Sequence, residues 1–258
     1  MIAIEVFKKI YGGLTMVKKI VFLWALSCSW SLSAMPTVHV IGDSHAFFSF
    51  SPVPFTAQEP AYPEFFTYDY AGADTHFSVP FHLHWIGPRT MHRVGRDGLS
   101  FLNVKALSVK EDDYVVFVFG EIDVRCHIGK QSHQQQQPYQ DIISKLVNNY
   151  IATIMRNKEQ YTHLSCIVFG VVPPTDQNFN PDYPIYGSLV ERIAITQCLN
   201  AELNKACLAR GLIFFNVYDA YGTPLGDFDK KFSDNLVHIG IAHNELVRQR
   251  LVEVLFTR

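Results

Sequence analysis

Charge is the scarcest property of this chain. Only 18% of its residues are Asp, Glu, Lys or Arg, against about 25% in an average domain, and the net charge is −2. No Arg/Lys run interleaved with aromatics occurs, so a basic nucleic-acid groove is excluded. Cysteine is sparse as well: five residues and no CxxC pair, which excludes a zinc ribbon or a thioredoxin-type redox motif. No internal repeat is visible. The apolar runs all fall short of the roughly 18 residues a membrane-spanning helix requires.

What is abundant is apolar side chain, 48% of the 258 residues. That supplies a sizeable core for one large domain and argues against disorder. The N-terminal stretch stands apart. Met16-Val17-Lys18-Lys19 precedes an apolar run, 20–30, and then Ser31-Leu32-Ser33-Ala34. A positive start, a short apolar segment and small residues have the form of a secretory signal. The expectation is cleavage near Ala34, export to the periplasm or beyond, and no stable membrane insertion afterwards. Residues 1–35 are then an extension plus signal, and 36–258 the folded domain. Cleavage leaves Cys126, Cys166, Cys198 and Cys207. An exported chain permits disulfides among them, although Cys198 and Cys207 on one helix would stand about 13 Å apart, beyond bridging distance.

Four short apolar runs, 38–41, 114–119, 165–172 and 212–217, read as strands. They are nearly continuous rather than alternating, the pattern of strands buried on both faces of a parallel sheet. A fifth strand is expected within 65–85. Between the runs, 139–156 carries one apolar stripe at helical spacing, 187–210 a weaker one, and Leu246, Val247, Leu251, Val254 and Leu255 mark a last helix. Strand and helix alternate, which predicts an α/β fold: a three-layer α/β/α sandwich with a mainly parallel sheet. In such folds ligands collect at the carboxyl ends of the strands. Attention therefore falls on Gly42-Asp43-Ser44-His45, Gly120-Glu121-Ile122-Asp123, Pro173-Pro174-Thr175-Asp176 and the stretch "FSDNLVHIG" at 232–240.

Each of these has a plain structural role available. Ser44 is a good helix cap, and Asp123 suits a cap or loop anchor at a strand end. His82-Leu83-His84 has the spacing of a metal pair on one strand face, but two histidines without a third ligand fit a strand edge equally. Cys126 beside His127 is adjacency and nothing more.

Taken together, however, "VIGDSHA" after the first strand, "VFVFGEID" after a middle one and "SDNLVH" before the last helix resemble the SGNH (GDSL-type) hydrolases. The resemblance spans most of 37–256. It implies that Ser44 attacks an ester carbonyl, that His238 takes its proton, and that Asp234 orients His238. A serine hydroxyl needs such a base, and the base needs such a carboxylate. It implies an oxyanion hole with the Ser44 N–H and a glycine N–H ahead of a helix, for which Gly98 is the first choice and Gly95 the second. Asp43, Asp123 and Arg125 are further contributors. Two positions depart from the family pattern. The acid stands four residues before His238, with Asn235 at the usual place, and Ile122 occupies the position of an oxyanion-binding Asn, so that Arg125 becomes a candidate donor. The resemblance implies neither metal nor organic cofactor, and a small-molecule or glycan ester as substrate; aromatics around 65–70 and 179–186 could stack on sugar rings. Two alternatives stay open: a calcineurin-like metallophosphoesterase, from the Asp43-x-His45 spacing with His82 and His84, and a catalytically silent glycan-binding module on the same fold.

Overall fold

A computed structural model describes residues 35–54, 64–72, 78–177 and 183–256. The leader read at 16–34 lies outside the described residues, as does part of the aromatic stretch at 179–186.

From Pro36 onward the chain forms one compact unit. It opens with β1 (Val38–Gly42), which is buried along its whole length, and α1 (Ser44–Phe50). The region of the fifth expected strand holds two, β2 (Glu64–Tyr70) and β3 (Val79–Trp85). Then come α2 (Met91–Asp97), β4 (Tyr114–Val118), a π-helical run Asp123–Ile128 leading into α3 (Gly129–Gln135), and α4 (Tyr139–Lys158). The chain continues through β5 (Ser165–Phe169), α5 (Leu189–Leu208), β6 (Ile213–Phe215), α6 (Tyr218–Tyr221) and α7 (Glu245–Phe256).

The six strands lie in the order β2-β3-β1-β4-β5-β6. All neighbours are parallel except β2, which runs antiparallel to β3 at the edge. Alternate residues of each inner strand face opposite layers. Ile41, Val115, Phe117, Cys166 and Val168 pack with α2, α4 and α5. Val38, Val40, Val116, Val118 and Ile167 pack with α1 and α7. Burial on both faces is why these strands read as unbroken apolar runs.

The edge hairpin corrects the sequence reading at 65–70. That stretch is strand, not loop, and Phe66, Tyr68 and Tyr70 pack into the sheet's core layer, so they form no sugar-stacking loop. The chain leaves β1 toward β3 on one side and returns to β4 on the other. The crevice at such a reversal, outside the carboxyl ends of the strands, is where α/β sheets place ligands. Gly42 and Glu121 both stand there.

Candidate active site

The site is built from two turns. The first follows β1. Gly42 lies so close to β4 that a Cβ there would meet the Val118 carbonyl oxygen at 2.2 Å. Only glycine fits, and β1 can therefore run up against β4 and stop sharply. Asp43 then takes an extended backbone and caps α1, its Oδ1 accepting from His45 N at 2.8 Å. Ser44 opens the helix and is half-exposed, while Asp43 and His45 on either side are buried.

The second turn is a tight loop closed by pairing of Ser233 with Ile239. Asn235 sits at φ 68°, a left-handed conformation that Asn accepts more readily than most residues. This extra residue lets an acid four positions before His238 curl back to it. Asp234 Oδ1 accepts from Leu236 N (2.8 Å) and His238 N (3.1 Å), and Asp234 N donates to the His238 carbonyl (3.1 Å). Its Oδ2 is thereby aimed at His238 Nδ1, 2.7 Å away. The far nitrogen, Nε2, lies 2.9 Å from Ser44 Oγ. An ionised Asp234 can only accept, so it fixes the proton on Nδ1 and leaves Nε2 as the acceptor facing the serine hydroxyl.

The surroundings hold the ring and tune it. Phe48 stacks on His238 with centroids 4.0 Å apart and planes within 8°. Burial pushes the His238 imidazole below its ordinary value, against the opposing pull of Asp234. Burial would raise the Asp234 carboxyl, but its bond to His238, the charge of that ring and two backbone N–H groups outweigh it and hold the acid low. The pair is thus set as carboxylate and neutral imidazole. Asn244 and Arg248 fasten the end of α1 to the chain that enters α7. Asn244 Nδ2 donates to the carbonyls of Phe48 (2.8 Å) and Ser51 (2.7 Å), and Arg248 Nη1 reaches Ser51 O at 3.1 Å. They tie the end of the serine's helix to the start of α7.

The other expected contributors fall elsewhere. Asp123 caps α2, accepting from Met91 N (2.7 Å) and His92 N (3.1 Å). Arg125 is not a free oxyanion donor: Nε and Nη2 bind Glu121 at 2.6 and 3.0 Å, and Nη1 binds Tyr183 O at 2.6 Å. Gly98 is not at the site. It closes α2 at its far end, with φ +60°, against the Arg156 guanidinium of α4. Gly95 packs on Asn149 and Tyr150. The glycine ahead of that helix is Gly87, buried, at φ 86°. It follows Ile86, whose N–H donates to Gly42 O at 3.0 Å, so it stands beside the turn that carries Ser44. Ile122 is buried and brings no donor.

His82 and His84 sit on one face of β3 beside His39 of β1. His84 Nε2 lies 3.0 Å from His39 Nδ1, and His39 Nε2 lies 3.1 Å from Asp113. Among the described residues no group of three or more His, Cys, Asp or Glu is placed to hold a metal ion.

Sequence reasoning places Glu121 at a strand's carboxyl end without giving it a role, and does not place Gly87, Phe48 or Asn244 beside Ser44 and His238. Glu121 was hidden by its neighbour Ile122, which drew attention as the departure. Gly87 carried a signal in "GPRTM", a glycine and proline just before a helix, but the helix was not legible.

Neither a family model nor a curated protein sequence matches the chain. Solved structures do. One is a Streptococcus pneumonia protein described as a platelet activating factor (TM-score 0.54, 15% identity, covering 94% of this chain and 99% of that one). Another is the inhibitor-bound M. smegmatis aryl esterase (TM-score 0.52, 15% identity, 86% and 99%). A third is a catalytic mutant of an acetylxylan esterase from Geobacillus stearothermophilus (TM-score 0.50, 12% identity, 86% and 94%). The six-stranded, mostly parallel sheet between helical layers is thus the three-layer α/β fold of these solved structures.

Proposed function

We propose that the chain is a serine esterase acting through an acyl-enzyme. The observation that carries this reading is the unbroken contact Asp234–His238–Ser44, at 2.7 and 2.9 Å, at the carboxyl end of β1. Each member has the partner that its role demands.

In the first half-reaction Ser44 Oγ attacks the ester carbonyl carbon while its proton passes to His238 Nε2. The imidazolium formed is stabilised by Asp234. The negative charge moves to the former carbonyl oxygen, where the N–H of Ser44 serves as donor, since the first amides of a helix have no acceptor within it. The Gly87 N–H is the second donor. His238 then returns the proton to the departing alkoxide, leaving Ser44 acylated. In the second half, His238 takes a proton from water, the hydroxide attacks the acyl carbon, and the acid leaves as Ser44 recovers its proton. With Ile122 where the family has Asn, the hole is short of one side-chain donor. Such a donor is worth about 2.7–4 kcal/mol, so a slow enzyme is expected.

An acetylxylan esterase and an aryl esterase among the structural neighbours support a small acyl group as substrate, with O-acetyl carbohydrate as the leading class. Export by way of the segment at 16–34 belongs to the same proposal. Hydrolysis of p-nitrophenyl acetate tests it. Turnover that persists in EDTA and disappears in Ser44→Ala is the expected result. Phosphoesterase turnover restored by a divalent metal would replace the reading with the metallophosphoesterase one.

A further inference from the structure

A second imidazole lies against the first. His45 is buried, and its ring centroid is 4.6 Å from that of His238. Its Nε2 is 3.1 Å from the Val237 carbonyl oxygen. A carbonyl only accepts, so that nitrogen carries a proton. We propose that His45 is a positioning residue for His238, holding the base's loop through the Val237 carbonyl and setting a cationic ring beside it. The proposal rests on the esterase reading and deepens it.

The charges around the two rings assign the cation to His45. Its Nδ1 is 3.4 Å from Asp43 Oδ1, an ion-pair distance. Asp43 Oδ2 is buried without a hydrogen-bond partner among the described residues, as is His45 Nδ1. Glu121, beyond the end of β4, acts on both rings through its charge, with Arg125 as its own partner. A cavity of about 10 Å³ touches Asp43, His45 and Glu121. That is room for about one water molecule, so these charges are not screened by bulk solvent. Burial alone would lower the His45 value, but Asp43, by contact and by charge, and Glu121 outweigh it and raise it.

His238 meets the same field with a different outcome. It has Asp234 on its own loop, but burial above all, and then the neighbouring His45 ring, disfavours its charged form. Like charges at this separation push titrations apart. The two rings are thus driven in opposite directions, His45 toward the charged form and His238 toward the neutral form that a general base needs.

Two variants separate the tether from the charge. His45→Gln keeps an N–H donor and loses the cation; His45→Phe keeps the ring and loses both. In His45→Gln the acid limb of kcat/KM is expected to move to higher pH by about one unit, with KM little changed. In His45→Phe, kcat is expected to fall about 10- to 100-fold as well, because the base is misplaced. The side-chain 15N resonances of the full chain give a readout that needs neither turnover nor a variant. The wild-type protein should show His45 protonated on both nitrogens at a pH where His238 is already neutral. His45 titrating below His238, or a His238 titration and acid limb unmoved in His45→Gln, overturns the inference. If Ser44-dependent turnover is absent while the resonances behave as described, the esterase reading fails and the pairing of the two rings stands.

Discussion

Gly42 has no room for a methyl group, and the consequences reach Ser44, two residues later. With a Cβ only 2.2 Å from the Val118 oxygen, Gly42→Ala must part β1 from β4 or shift the turn that carries Ser44. Overpacking of this kind costs about 1–3 kcal/mol, or roughly 3–10 °C in Tm for a domain of this size. Calorimetry should show that loss, and ester turnover should fall by more than the change in folded fraction explains. At Asp234 the expected change is chemical. Asp234→Asn can still accept backbone bonds through its oxygen but no longer holds the Nδ1 proton by charge. A drop of about 10⁴ in kcat is expected, with circular dichroism unchanged. The acid limb of the wild-type pH profile should lie below the ordinary imidazole value of 6.5, because burial holds His238 down. Activity should be lost as pH falls through that limb. These residues were legible in the chain because their order and types matched the chemistry. Glu121 and His45 stood out only by position, His45 also by its metal-ligand spacing from Asp43, since nothing local says that a side chain after β4 will act on one after β1.

Elements, rather than single side chains, decide whether the two turns meet. Asn244 is fully buried and bonds the carbonyls of Phe48 and Ser51, which close α1. Asn244→Ala removes both bonds, with Arg248 Nη1 still reaching the Ser51 carbonyl, and should cost about 1–3 kcal/mol, read as a lowered urea midpoint. Asp123 does the corresponding work at the start of α2, but as a buried acid. Its value is raised from 3.8 to about 7, chiefly by burial and against the pull of the Met91 and His92 amides. An acid raised on folding stabilises the protein while it is protonated, and that contribution is lost as pH climbs from 3.8 toward 7 and beyond. Asp123→Asn lacks this dependence. The Tm of the variant relative to wild type should therefore rise across that interval; a flat difference would show that the carboxyl titrates normally. The inner strands were readable because burial on both faces removes polar residues from them. The edge strands β2 and β3 were not. One face of this pair carries Phe65, Thr67, His82 and His84 outside the main core clusters, which dilutes the apolar pattern that sequence reading depends on.

At the scale of the unit from Pro36 onward, a six-stranded sheet with a core layer on each face carries Gly42 and the turn after it at its carboxyl edge. Among the described residues there is no covalent staple: Cys126, Cys166, Cys198 and Cys207 are all free thiols, three of them buried. Reductant should leave the Tm of the 36–258 domain unchanged, and a fall would show a bridge. The fold class could be read from the residues alone, whereas the glycine that the sequence reading chose as an oxyanion donor, Gly98, lies at the far end of α2. Gly98 and Gly87 flank the same helix, and only the direction of that helix tells which one reaches the sheet's carboxyl edge. The measurement that tests the central claim most directly is labelling with a fluorophosphonate probe, followed by mapping of the modified residue. Modification at Ser44, abolished in Ser44→Ala and strongly slowed in His238→Ala, is the predicted result. A labelled residue elsewhere, or labelling at Ser44 indifferent to His238, would contradict it.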